Sequence, residues 1–249
     1  MKKLILLILV STSVLACKAQ QNKTSIKETK VFLLAGQSNM DGRAKASGLS
    51  EIDKQRLKNA QKNVTLYYNF DEGKPLDTTK VAKHTAKKFG AEYLFGPELF
   101  FGIKMSEKYP EHQIILIKRS RGGMSMYGAW NPDWTLEKAT LIKEENQPKL
   151  YSEFVDYGHK VLSNLEKDSY ALCGMLWVQG ESDSGKKGGT KPSETYEANL
   201  TKLISSVRKD FNHPKLPFIM FQVGHGKVVK AMETVSTVDD NVVLIPQEK

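Results

Sequence analysis

The apolar residues of this chain fall into short, nearly continuous runs separated by stretches of helical period. The runs are Val31–Ala35, Val64–Tyr68, Gln113–Ile117, Ala171–Val178, Pro217–Val223 and Val242–Ile245. Their length and branched or aromatic content predict strands buried on both faces, the pattern of a parallel sheet. Between them, helices are expected over Pro97–Lys108, Leu150–Glu166, Ser193–Phe211 and Lys227–Val235. The third of these places Tyr196, Leu200, Leu203, Ile204 and Val207 on one face, with Ser193 as the expected N-cap. In the second, Phe154, Val155, His159 (or Lys160), Leu162 and Leu165 share a side. Gly96-Pro97-Glu98 reads as a helix start, with proline in the first turn and an acid near the positive end of the dipole. Strands alternating with helices require right-handed crossovers, so the fold class is α/β, a three-layer α/β/α sandwich around a parallel sheet. No internal repeat or domain linker interrupts residues 30–249, which read as one domain.

The amino terminus departs from this pattern. Lys2 and Lys3 precede LILLILV and then Val14-Leu15-Ala16-Cys17. A positive start, an apolar run too short to span a bilayer and a small residue before the cut describe a signal peptide over 1–17. Cys17 sits as a lipidated cysteine would, with ordinary cleavage near Ala19 as the alternative. Residues 18–29 are polar, without periodicity, and read as a tether. The expected location is therefore outside the cytoplasm of a bacterium: periplasmic, anchored to the outer membrane, or secreted.

With 249 residues, 40% hydrophobic and 26% charged, the composition is that of a globular protein. Removing residues 1–16 takes away two lysines and no acid, leaving +7 of the formal +9. That excess is scattered, with no basic helix interleaved with aromatics, so nucleic acid is not an expected partner and the membrane is met only through a lipid at Cys17. Cys173, the other cysteine, lies in ALCGMLWV and reads as a small buried hydrophobe.

Three strand ends carry the candidate chemistry: Gly36-Gln37-Ser38-Asn39-Met40-Asp41-Gly42, Arg121-Gly122-Gly123-Met124-Ser125 and Gln179-Gly180-Glu181-Ser182-Asp183. In a parallel sheet these loops share one edge and can converge on one pocket. Acyl transfer needs a hydroxyl nucleophile and donors aimed at the developing oxyanion. Ser38 supplies a hydroxyl and its own N–H, Gly122 or Gly123 a second N–H, and the Gln179 amide a third. Asn39, Glu181 and Asp183 are expected to support the loops. Tyr127, Trp130 and Trp134 could stack on a sugar ring or belong to wall and core. Gly185–Lys191 reads as a solvated flap. The Gly-x-Ser-x-Gly elbow of the α/β-hydrolases is absent.

The set AGQSNMDG, GPELFFG, RGGMS and WVQGESD resembles the SGNH hydrolases, and within them the sialate O-acetylesterases and the sixth family of carbohydrate esterases. The resemblance runs from about Val31 onward. It implies a flavodoxin-like α/β/α sandwich, no metal or other cofactor, and hydrolysis of acetyl esters on sugars such as xylan or sialic acid. It implies Ser38 as nucleophile, and Ser38, Gly122, Gly123 and Gln179 around the oxyanion. It also implies a histidine base, three residues after an aspartate, beyond the last strand. Here TVDDNVVLIPQEK follows instead, and His84, His112, His159, His213 and His225 all lie earlier. The fold is thus expected to lack its C-terminal end, the sequence being a fragment, or His225 in Val223-Gly224-His225-Gly226 being a substitute base. Strongly impaired turnover is the expectation. Two other readings remain at this point: a glycan-binding relative that has lost its base, and a flavodoxin-like phosphate or nucleotide binder using Gly36–Asn39, which lacks a phosphate-loop pattern.

Overall fold

A computed structural model describes residues 28–247. The expected signal peptide, Cys17 and nearly all of the tether lie outside them. Six parallel strands form the main sheet: β1 (Thr29–Gly36), β2 (Val64–Tyr68), β3 (Ile114–Ser120), β4 (Tyr170–Val178), β5 (Phe218–Phe221) and β6 (Val242–Ile245). Their order is β6-β5-β4-β1-β3-β2, with Lys74–Pro75 added antiparallel outside β2. Leaving β2 aside, the other five follow the flavodoxin order 2-1-3-4-5. The sheet therefore reverses its winding at β1, flanked by β3 and β4. That reversal opens a crevice at the carboxyl ends of β1 and β4, where open α/β sheets bind ligands.

Alternation along β1 explains the three layers. Val31, Leu33 and Ala35 face one side, with α3 (Leu150–Ser163), α4 (Tyr196–Asp210) and α5 (Lys227–Val238) packed over them. Phe32 and Leu34 face the other, covered by α1 (Glu51–Ala60) and α2 (Pro97–Lys108). In α3 the buried Leu150, Phe154, Tyr157 and Val161 recur every three or four residues, as one helical stripe requires. The strand and helix periods of the sequence thus give the α/β/α sandwich.

Three local readings change. The α4 helix begins at Tyr196 rather than Ser193. The Ser193 hydroxyl turns back to donate to the Thr190 carbonyl at 2.9 Å, inside a separate turn at Lys191–Glu194. His159 is exposed and stacks on Phe211, 5.0 Å between ring centres, instead of joining the buried face of α3. Cys173 is only half-buried. It is the extra residue where the β1–β4 register shifts, Val31 opposing Leu172 and Phe32 opposing Gly174.

Candidate active site

The crevice is formed by three consecutive neighbours in the sheet. β1 ends in Gly36, whose φ of +153° brings its backbone against β4; a Cβ there would sit 2.1 Å from the Val178 carbonyl oxygen. Only glycine fits so close a crossing. Gln37 follows, nearly buried, and its N–H donates to that Val178 oxygen at 3.0 Å. Ser38 then opens a single helical turn, Ser38–Asp41, closed by Asp41 N–H to Gln37 oxygen at 2.8 Å and Gly42 N–H to Ser38 oxygen at 3.1 Å. Its side chain is half-buried and hydrogen-bonded to no other described residue. As the first residue of a helical turn, its N–H also has no acceptor among the described residues.

The second loop leaves β3 through the Arg121 N–H, which donates to the Gly36 oxygen at 3.2 Å. That bond brings Gly122 beside the serine. A Cβ on Gly122 would lie 3.5 Å from Ser38 Cβ, 3.2 Å from Asp41 Oδ2 and 3.4 Å from Arg43 Nη2. Gly122 thus stands against the nucleophile candidate, whereas Gly123, at φ +77°, borders open space. The Gly122 N–H meets no acceptor among the described residues. Arg43, not singled out from the sequence, closes this corner. It donates to Asp41 Oδ2 at 3.1 Å and to the Gly42 carbonyl at 2.8 Å, and lies over the Phe89 ring.

The third loop is the one whose expected role changes. Gln179 is wholly buried, and its Nε2 lies 2.6 Å from Asp183 Oδ2 and 3.2 Å from both Gln37 Oε1 and the Met124 carbonyl. Its carbonyl end accepts from the Tyr196 hydroxyl at 3.1 Å. Two amide hydrogens facing three internal acceptors leave none for an oxyanion. The expectation that Gln179 is the third donor is therefore corrected: its amide ties the first and second loops to the floor of the crevice.

Asp183 is buried completely and accepts the N–H groups of Met126 at 2.8 Å and Tyr127 at 2.9 Å besides the Gln179 amide. Burial pushes its carboxyl up to about 7 against the pull of those donors. Glu181 accepts from the Asn39 side-chain amide through Oε1, while Oε2 is buried with no partner among the described residues. Burial raises this carboxyl too. Asn39 and Glu181 therefore link the turn that carries Ser38 to the start of the third loop.

Beneath the site lies a buried ion pair that sequence reasoning missed in function. Lys118, in the middle of β3, reaches Glu98 Oε2 at 2.6 Å, and both side chains are at most 2% exposed. The same ammonium donates to the Asp41 carbonyl at 3.1 Å and lies 4.4 Å from the centre of the Tyr68 ring. Glu98 Oε1 accepts the Gly96 N–H at 2.9 Å, so the helix-start reading of Gly96-Pro97-Glu98 holds as well. The signal was available: a lysine inside ILIKRS must find a buried anion or cost several kcal/mol.

The aromatic wall is also revised. Trp130 is wholly buried, edge-on to Trp177 at 5.2 Å and to Phe154 at 6.1 Å, so it is core. Tyr127 is nearly buried and borders a surface hollow with Leu136 and Leu141. Trp134 is half-buried beneath the Lys149 ammonium, 4.0 Å from its ring centre. None of the three is shown lining the Ser38 crevice. A separate hollow of about 280 Å³ begins at Asn39 and Pro97 and runs along Val178, Phe221, Val223 and Ile245.

None of the five histidines is hydrogen-bonded to Ser38 among the described residues. His225 is exposed on the loop after β5. Its backbone N–H donates to Ser184 Oγ at 3.0 Å. β5 is two strands from β1, about 10 Å at the usual strand spacing. The structure therefore does not bring the expected substitute base to the serine. Among the described residues, no group of three or more His, Cys, Asp or Glu side chains is placed to hold a metal ion.

Comparison with known proteins agrees with this fold. A protein from Arabidopsis thaliana superposes with a TM-score of 0.61 at 21% identity, over 88% of this chain and 85% of the other. NanS gives 0.61 at 15% identity, over 90% and 79%. A carbohydrate acetylesterase from Xanthomonas citri gives 0.54 at 15% identity, over 87% of this chain and 49% of its own length. At these identities the likeness establishes the fold. No curated protein sequence matches. The family profile described as carbohydrate esterase, sialic acid-specific acetylesterase matches residues 28–247, and this chain belongs to that family.

Proposed function

We propose that the chain is an exported carbohydrate O-acetylesterase that works through Ser38. The observation that carries this reading is a serine at the sheet's switch point with the Gly122 backbone against it, where neither the serine hydroxyl nor the N–H of either residue has a hydrogen-bond partner among the described residues. Ser38 Oγ attacks the acetyl carbonyl carbon, and its proton passes through solvent to the ester oxygen that departs as the sugar alcohol. The resulting oxyanion sits between the Ser38 and Gly122 N–H groups, each donor of this kind contributing about 3–4 kcal/mol to the transition state. Collapse expels the sugar alcohol, and water then releases acetate from the acyl-serine. Asn39, Glu181, Gln179 and Asp183 hold the loops in this arrangement. The substrate is an acetylated sugar of xylan or sialic acid type, and no metal or cofactor enters the scheme.

Export is proposed from the positive, apolar and small-residue order of 1–17, with lipidation at Cys17. Labelling by palmitate that disappears in Cys17→Ala would support the anchor. For the reaction, hydrolysis of p-nitrophenyl acetate should be lost in Ser38→Ala; equal rates in the two proteins would defeat the reading. A second reading, a glycan binder with negligible turnover, is favoured by the want of a histidine bonded to Ser38. It expects saturable binding of an acetylated sugar by a protein that does not hydrolyse it, and brisk Ser38-dependent turnover would overturn it.

A further inference from the structure

The loop that carries Gly122 is gripped from below by two buried carboxylates on different segments. Glu144, 2% exposed, accepts the Ser125 N–H at 3.0 Å, the Ser125 hydroxyl at 3.1 Å and the Ala129 N–H at 2.9 Å. Asp183 takes the two intervening N–H groups, those of Met126 and Tyr127. Ser125 Oγ in turn accepts the Gly128 N–H at 2.9 Å. A Cβ on residue 128 would lie 2.4 Å from Ile142 Cδ1 and 2.6 Å from Glu144 Oε2, so any larger residue there would have to displace those side chains. Four backbone N–H groups within five residues thus converge on two anions rather than on the carbonyls of a helix or sheet.

Such convergence matters because the donors fix the charge state that fits. Asp183 is met by three N–H donors and by no acceptor. A proton added to either oxygen faces a donor, so one of the three contacts has to be surrendered. The charged groups around it are few. The Glu144 carboxyl acts on it, the Tyr196 phenol on α4 feels both Asp183 and Glu181, and the Lys187 ammonium acts on Glu144. Burial raises the carboxyl of Glu144 as well.

We propose that Glu144 and Asp183 act as one pair of positioning residues: with Asp183 ionised they hold the 122–129 loop so that the Gly122 N–H faces Ser38, and proton uptake by the pair slackens that loop. The proposal rests on the reading of this loop as an oxyanion donor, and it adds a residue, Glu144, and a dependence on pH. Asp183 loses its proton near neutrality because burial and the field of Glu144 both resist its charge. The grip is therefore at its midpoint near neutrality, tightening as the pH rises above it and weakening below it.

The test does not need turnover. In ¹⁵N-labelled protein, the amide resonances of residues 122–129 should titrate together between pH 5.5 and 8.5 with a midpoint near neutrality. Glu144→Gln, which removes the neighbouring negative charge, should move that midpoint downward, and Asp183→Asn should abolish the titration. Amides that stay flat in the unaltered protein, or a midpoint unmoved by Glu144→Gln, would overturn the proposal; the first result decides even if a variant fails to fold. The acid limb of kcat/KM for p-nitrophenyl acetate should follow the same midpoint. Titrating amides in a protein with no Ser38-dependent hydrolysis at any pH would uphold the clamp and sink the esterase reading instead.

Discussion

Replacing Glu98 by glutamine tests the buried support beneath Ser38. Glutamine keeps nearly the same volume and an oxygen to accept the Gly96 N–H, so the change isolates the loss of charge opposite Lys118. The ammonium is then left with the Asp41 carbonyl at 3.1 Å and the face of Tyr68. Breaking a fully buried pair by removing one partner costs about 3–5 kcal/mol, since the remaining charge is neither hydrated nor matched. For a domain of this size each kcal/mol lowers Tm by about 2–4 °C, so a fall of about 6–20 °C is expected. Thermal unfolding and urea titration of Glu98→Gln against the parent would measure it. Because the same ammonium anchors the Asp41 carbonyl, any Ser38-dependent hydrolysis should fall below the level set by the folded fraction. The double variant Glu98→Leu with Lys118→Met should recover part of the loss, as it strands only a Gly96 N–H and an Asp41 carbonyl. A single variant within about 1 kcal/mol of the parent, or a double variant worse than the single, would refute the reasoning.

Three further outcomes follow from the geometry. Gly36→Ala should not yield a native crevice, because a Cβ 2.1 Å from the Val178 oxygen must push β1 from β4; an unaltered Tm and unaltered acetate release would contradict this. Trp130→Ala should lower stability by about 3–5 kcal/mol through the cavity left against Trp177 and Phe154, while Trp134→Ala, at a half-buried site, should cost less; chemical denaturation of both ranks them. Asp239 is held below its usual value of 3.8, chiefly by its hydrogen bond to Arg208. A depressed carboxylate stabilises above its unfolded value and loses that contribution as pH falls through the folded one. The stability difference between the parent and Asp239→Asn should thus be flat at neutral pH, begin to shrink below about pH 4 and vanish only once the pH has passed the depressed folded value; a difference that stays constant through the acid range would show that the pair contributes nothing.

Legibility in the sequence followed apolar content rather than depth of burial: the wholly buried Ile114–Ser120 strand was expected to stop at Ile117, before its Lys118-Arg119-Ser120 end. β2 and β6 were found with their exact ends, because runs such as VTLYY and VVLI are apolar and short between polar breaks. Helix α1 was not predicted: EIDKQRLKNA buries only Leu57 and Ala60, so it presents almost no apolar stripe, although Ser50 caps it by accepting the Asp53 N–H. The start of α4 was misplaced because Ser193 heads a separate turn, and the true N-cap, Thr195, makes no side-chain capping bond. The small sheet of Ala44–Lys45, Thr79–Lys80 and Tyr93–Phe95 has strands of two and three residues, too short for any period to register. At the site, the positions that the chain's order dictates were readable. Ser38, Gly122 and Gln179 follow strands expected in one parallel sheet, so a shared edge was implied by topology, while the strand order in the structure is what makes them neighbours.

What a one-dimensional pattern cannot carry is which way a polar side chain turns, and here that decides its chemistry. Gln179 and Ser38 both follow strands at the switch point, yet the amide of one is spent on Gln37, Met124 and Asp183 while the hydroxyl of the other has no hydrogen-bond partner among the described residues. The difference is set by depth. Gln179 directly continues β4 and is fully enclosed, whereas Ser38 stands one residue beyond the turn that Gly36 and Gln37 make. Buried polar groups must find partners at the cost of any outward role. The same rule explains the anions under the glycine loop. A loop that leaves a strand end without joining another ladder has N–H groups to satisfy, and Glu144 and Asp183 satisfy four of them. The N–H of Gly122 lies outside that grip and has no acceptor among the described residues, which is why the proposed oxyanion role falls to it.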